Sequence, residues 1–165
     1  MNNHVLQLEP LTAEAFRPYG TVVDTGETSP VLINDGNTQK FANLLPLDCE
    51  HQDGRVAVHL YRSIARELPL TVHGLERHPL GSQAFWPLSN RPYIVVVAPP
   101  DPSLDESAIC AFLASGSQAI QYHRGTWHHY QISLETESDY LVLDREGPGD
   151  NCDEVTLSQP LTITR

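Results

Sequence analysis

The sequence predicts an all-β protein, a jelly-roll barrel with short helices, and three observations carry that expectation. Short stretches rich in Val, Ile, Leu, Tyr and Thr recur along the whole chain. Each is bounded by Pro, Gly, Asn, Asp or Ser, and the 13 Pro and 10 Gly punctuate many of the breaks. No regular alternation of strands with helical patterns occurs, so the parallel nucleotide-binding sheet is not expected.

Taken in order, residues 5–8 read as a strand. Thr12 then caps a helical turn through Glu14, Ala15 and Phe16, stopped by Pro18 and Gly20. Further strands are expected over 21–24, 40–44, 56–63, 70–75, 84–88, 93–98, 119–122, 130–134 and 140–144. Between 101 and 113, Asp105, Glu106, Ser107 and Ala108 follow Pro102 and favour a second helix of one or two turns. Residues 150–153 (DNCD) read as a structural turn. No repeat, low-complexity tract or linker divides the 165 residues, which are expected to form one domain, 1–165.

Ten basic against 21 acidic residues give a net charge of −11, which repels phosphate backbones and anionic lipid surfaces. Neither nucleic acid nor membrane is an expected partner. An anionic substrate is repelled by the same field, so a site that binds one needs local cations or a metal. The first ten residues have no basic start or long apolar stretch, and no apolar run reaches about 18 residues, so neither secretion nor membrane insertion is expected. Cys49, Cys110 and Cys152 are odd in number and widely spaced, which favours a reducing cytoplasm over a disulfide scheme.

Two segments gather groups able to do chemistry. In 75–88 (LERHPLGSQAFWPL), an extended backbone puts Glu76 and His78 on one face and Arg77 on the other, and Pro79 and Gly81 allow a turn that returns Gln83 nearby. In 122–129 (YHRGTWHH), Gly125 permits a tight turn between His123 and His128, so both imidazoles are expected in the same cavity. His128 and His129 are adjacent and face opposite ways in a strand. Only one belongs inside, and the spacing from Gly125 favours His128.

These segments resemble the paired motifs of cupins, in which a His-x-His and a following Glu supply three metal ligands and a later His after a Gly supplies the fourth. The corresponding residues are Glu76, His78, Gln83 and His128, with a Glu in a His place and a Gln in the Glu place. Oxygen donors of this kind suit hard or borderline divalent ions. Read whole, the chain resembles the ureidoglycolate lyase family through AFRPYG, INDG, ERHPLGSQAF, YHRGTWHH and DREGPGDNCD, in that order. The resemblance implies a carbon–nitrogen lyase of allantoin degradation that releases urea and glyoxylate from ureidoglycolate. It also implies a homodimer and an association with nickel.

Arg62 is nominated independently. Alternation with Val56, Val58 and Leu60 places it on an apolar face and predicts that it points inward, to Glu76 or to a substrate carboxylate. Lys40 is a weaker second cation for substrate binding. Glu76 or His123 is expected to act as base or acid on the substrate. His4, His51, His59 and His73 read as surface or packing residues, and Trp86 and Trp127 as core or pocket wall. Two other functions share these features: hydrolysis of the same substrate with release of ammonia, and a non-catalytic cupin that binds a small acid.

Overall fold

A computed structural model describes residues 4–165. The strands are β1 (His4–Pro10), β2 (Gly20–Val23), β3 (Val31–Ile33), β4 (Thr38–Lys40), β5 (Arg55–Ser63), β6 (Leu70–Arg77), β7 (Gln83–Pro87), β8 (Tyr93–Ala98), β9 (Cys110–Ala114), β10 (Ala119–Tyr122), β11 (Trp127–His128), β12 (Ile132–Ser133), β13 (Ser138–Glu146) and β14 (Asp153–Thr164). Helix α1 (Ala13–Phe16) starts where Thr12 Oγ1 accepts the Ala15 amide at 3.1 Å, as the capping pattern predicts. With 49% of residues in strands and 6% in helix, the protein is all-β.

Six strands, in the order β11-β6-β14-β1-β9-β8, close into a barrel through the β11–β8 pairing, and β12 pairs with the Tyr93 end of β8 along the same edge as β11. A second sheet, β2-β10-β7-β13-β5, packs against the β8–β9 wall, and β3 and β4 form a separate hairpin. Strand β8 (YIVVVA) explains the arrangement, because it is buried on both faces. Ile94, Val96 and Ala98 join Val72, Leu75, Trp127 and Ile163 inside the barrel. Tyr93, Val95 and Val97 join Phe16, Phe85, Phe112, Tyr122, Tyr140 and Val142 between the barrel and the second sheet.

Three expectations differ from the structure. The second helix is reduced to a 3-10 turn, Glu106–Ala108, capped by Asp105, because Cys110–Ala114 is needed as β9 to pair with β8 and β1. The 40–44 strand ends at Lys40 and lies in the β3–β4 hairpin. Finally, β14 was not anticipated, although its 12 residues pair antiparallel with β6 and parallel with β1. Its alternation is broken by a register shift between Thr156 and Leu161 and by Pro160, which hides the apolar face formed by Leu157, Leu161 and Ile163.

Strand β2 approaches β10 so closely that a Cβ at Gly20 overlaps the Gln121 carbonyl and comes within 3.0 Å of Phe16 Cε1. Gly20→Ala is therefore expected to cost about 3 kcal/mol or more, as overpacking against backbone cannot relax. A urea unfolding curve checks this, with a lowered midpoint expected and the slope unchanged.

Candidate metal centre

Strand β6 carries Glu76 opposite His128 of β11, and its alternation sends Leu75 into the barrel core and Glu76 to the other side. His78 follows one residue past the strand end. The turn after β10 completes the approach, because the Gly125 amide donates to the His78 carbonyl at 2.9 Å, with Gly125 at φ +82°. Trp127 then enters the barrel core while His128 faces the second sheet, where Tyr122 stacks on it at 4.2 Å and 9°. The two imidazole centroids are 5.1 Å apart. Ligand atoms of Glu76, His78 and His128 all lie within 4.8 Å of one another.

The hydrogen bonds fix what these rings present. His78 donates its Nδ1–H to the Asn151 carbonyl at 2.7 Å, and His128 donates its Nδ1–H to the His129 carbonyl at 3.2 Å. A backbone carbonyl only accepts, so each ring carries a proton on Nδ1, and the neutral form of each has its lone pair on Nε2. Among the described residues, five buried side-chain atoms lack a partner: His78 Nε2, His128 Nε2, Gln83 Oε1, Tyr122 Oη and Gln121 Oε1. The first four belong to this cluster: Gln83 is the β-partner of Tyr122, and Tyr122 stacks on His128. The other large buried phenols are satisfied, Tyr93 by the Gln118 carbonyl at 2.7 Å and Tyr140 by Ser133 at 2.9 Å.

An unpartnered buried acceptor costs about 1–3 kcal/mol, and two imidazole lone pairs beside a carboxylate and an amide oxygen are the donor set of a divalent metal. The residues fit such an ion, and their Nδ1–H bonds to carbonyls are the outer support that metal-binding histidines typically have. A surface hollow of about 670 Å³ lined by Arg66, Glu67, Leu134 and Arg165 contains none of the unpartnered atoms. It has no comparable chemistry.

Other expected site residues lie elsewhere. Arg62 points outward, with its side chain 60% exposed and bound to Asp139 at 2.8 Å. Its face of β5 is the exposed one, and Tyr61 on the opposite face meets Phe85. The alternation was real but its apolar side faces out. Lys40 is exposed on the β3–β4 hairpin. His123 is also outside: Tyr122 takes the inner face, and the His123 ring lies 3.2 Å from the Arg17 carbonyl. Beside the cluster stand groups that sequence reasoning passed over. Asp144 on β13 is hydrogen-bonded to His59 at 3.0 Å and accepts from Gln83 Nε2 at 3.4 Å. Burial pushes the Tyr122 phenol far above its ordinary value, so it stays protonated. Cys152 donates to Glu76 at 3.8 Å.

A small closed barrel whose wall brings two histidines and a carboxylate together, with an amide on the second sheet packed beside them, is a cupin-like protein. A family profile described as ureidoglycolate lyase matches residues 3–164. The chain is 48% identical over 159 residues to ureidoglycolate lyase of Burkholderia mallei (strain NCTC 10229), covering 96% of this chain and 93% of that protein. It is 44% identical over 149 residues to ureidoglycolate lyase of Pseudomonas entomophila (strain L48), covering 90% and 89%. The chain belongs to the ureidoglycolate lyase family.

The buried state of His128 has a measurable consequence. Burial first, and the neighbouring His78 second, hold its imidazole down at about 3 from an ordinary 6.5. Unfolding frees it to bind a proton below pH 6.5. Its contribution to stability is therefore fully present above that pH and is lost as pH falls toward 3. In chelator-treated protein, the melting temperature is expected to fall more steeply over this window than in His128→Gln. Equal slopes by calorimetry would contradict a buried neutral ring.

Proposed function

We propose that this chain is a ureidoglycolate lyase, a carbon–nitrogen lyase that eliminates urea from ureidoglycolate and leaves glyoxylate, at the centre formed by Glu76, His78, Gln83 and His128. The observation that carries the reading is the pair of imidazoles whose unpartnered Nε2 atoms converge beside Glu76. His78 and His128 would hold a divalent metal through Nε2 and Gln83 through Oε1, with Glu76 as the charged ligand. Nickel is the ion that the family resemblance implies. When bound, the ion supplies the positive charge that the substrate's carboxylate and hydroxyl oxygens need.

The substrate carbon bears a carboxylate, a hydroxyl and a ureido nitrogen. Glu76, the one carboxylate of the set, takes the hydroxyl proton as the carbonyl forms, and the C–N bonding pair leaves with the nitrogen. Tyr122, held protonated by burial and with its hydroxyl unpartnered, donates to that nitrogen so that urea departs neutral. The −11 charge of the chain repels an anion. None of the arginine hydrogen bonds or ion pairs among the described residues reaches the four centre residues, so a bound divalent ion would be the compensating charge.

We place the protein in the cytoplasm, since Cys49, Cys110 and Cys152 are all free thiols. No described helix is long and apolar enough to cross a membrane. The chain forms a homodimer in this reading, through the outer face of the second sheet. Val58 and Leu60 are 61% and 58% exposed there and pair across the ladder with Leu143 and Leu141, while Trp86 of β7 extends the patch. Contiguous apolar surface of this kind marks an interface.

Three measurements check these statements. Purified protein incubated with ureidoglycolate is expected to release urea and no ammonia. Glu76→Gln should lower kcat by about 10²- to 10⁴-fold. Ammonia as the product would establish the hydrolase instead, and neither product would leave a binding cupin. For the interface, Leu60→Asp is expected to convert a dimer to a monomer in light scattering. An unchanged mass would rule out this face.

A further inference from the structure

The Gln in the place where cupins carry a metal-binding Glu has a physical counterpart one strand away. Gln83 opens β7 and Asp144 lies on the adjoining β13, on the same inner face as Val142 and Tyr140. Gln83 Nε2 donates to Asp144 Oδ2 at 3.4 Å, while the other carboxylate oxygen, Oδ1, lies 3.0 Å from His59 Nε2. An ionised carboxylate only accepts hydrogen bonds. The amide of Gln83 must therefore turn its NH2 toward Asp144, because the opposite orientation sets its carbonyl oxygen against carboxylate oxygens. With Nε2 so engaged, Oε1 is left buried and without a partner.

We propose that Asp144, braced by His59, is a positioning residue that makes Gln83 an oxygen donor to the centre. This rests on the reading of Glu76, His78, Gln83 and His128 as a metal site. Gln83 and Asp144 together supply what a single Glu supplies elsewhere, an oxygen ligand and a negative charge, with the charge moved one layer back. Moving it outward lowers the charge in direct contact with the ion and leaves Glu76 as the one ligand able to exchange a proton with substrate. A Glu at 83 would meet Asp144 with like charge, so in this reading the two positions specify each other.

The test is a double-variant cycle on the full-length chain, read both by Ni²⁺ titration calorimetry and by melting temperature of chelator-treated protein. Asp144→Asn, which lets the Gln83 amide turn over, is expected to weaken Ni²⁺ binding about 10- to 100-fold, the usual effect of losing an outer partner of a ligand. Gln83→Glu alone sets two carboxylates face to face and is expected to lower the melting temperature by roughly 3 °C, on the order of 1 kcal/mol in a chain of this size. The pair Gln83→Glu/Asp144→Asn restores a donor opposite an acceptor, so it should recover the melting temperature and bind Ni²⁺ within about threefold of the parent or more tightly. A merely structural Asp144 would give additive losses in the double variant, and that result overturns the proposal. If the parent binds no Ni²⁺ yet the melting temperatures show the rescue, the metal reading fails and the orientation of Gln83 by Asp144 stands.

Discussion

Two imidazole rings, 5.1 Å apart and one of them only 1% exposed, each use Nδ1–H on a backbone carbonyl and leave Nε2 bare. Rings with an unpartnered buried nitrogen are costly, and much of the surrounding architecture serves to hold them there. The Asn151 segment reaches back to clasp His78 through its carbonyl, and its side-chain oxygen accepts the Leu80 amide at 2.8 Å, which fixes the loop between β6 and β7. The Gly125 turn ties the approach to β11 onto that loop. Tyr122 covers the His128 face and excludes water from it. The Asn151 and Gly125 contacts connect segments far apart in sequence, while Tyr122 and His128 belong to one short stretch of chain, so the centre joins a local motif to groups that the closed barrel brings to it.

The centre lies where the barrel wall meets the second sheet, a seam that lets one residue serve the barrel core and its neighbour the chemistry. Trp127 and His128 show it directly, as do Leu75 and Glu76. Arg77 follows the same rule, with its guanidinium 4.9 Å over the Trp127 ring and its Nε on Asp153 at 2.8 Å. Arg145 is buried as well, but the His51, Gln52 and Pro148 carbonyls occupy it. The protein thus neutralises or saturates Arg77 and Arg145 with its own groups, which leaves neither free to meet an anion at the centre.

Much of this was legible in the sequence for reasons that can be named. Two-residue spacing in a strand put Glu76 and His78 on one face, and adjacency separated His128 from His129. Both inferences depend on backbone geometry alone. The orientation of Arg62 was not legible, because alternation shows that two faces differ and not which one is covered. β5 is an edge strand whose apolar face is the exposed one. His123 misled because a turn at Gly125 fixes the distance along the chain and not the side of the sheet. Asp144 and His59 carried no local signal, since their meaning arises only when β13 and β5 are laid beside β7. Similarly, β14 was obscured by its own register shift.

The central claim is that His78, His128, Gln83 and Glu76 work as a metal centre, and the most direct measurement is urea release by protein stripped with a chelator and then titrated with nickel. The account predicts that stripping abolishes urea release and that about one equivalent of nickel per chain restores it. Undiminished urea release by protein shown to be free of metal would contradict the account and leave the paired lone pairs of His78 and His128 to be explained by direct contact with the substrate.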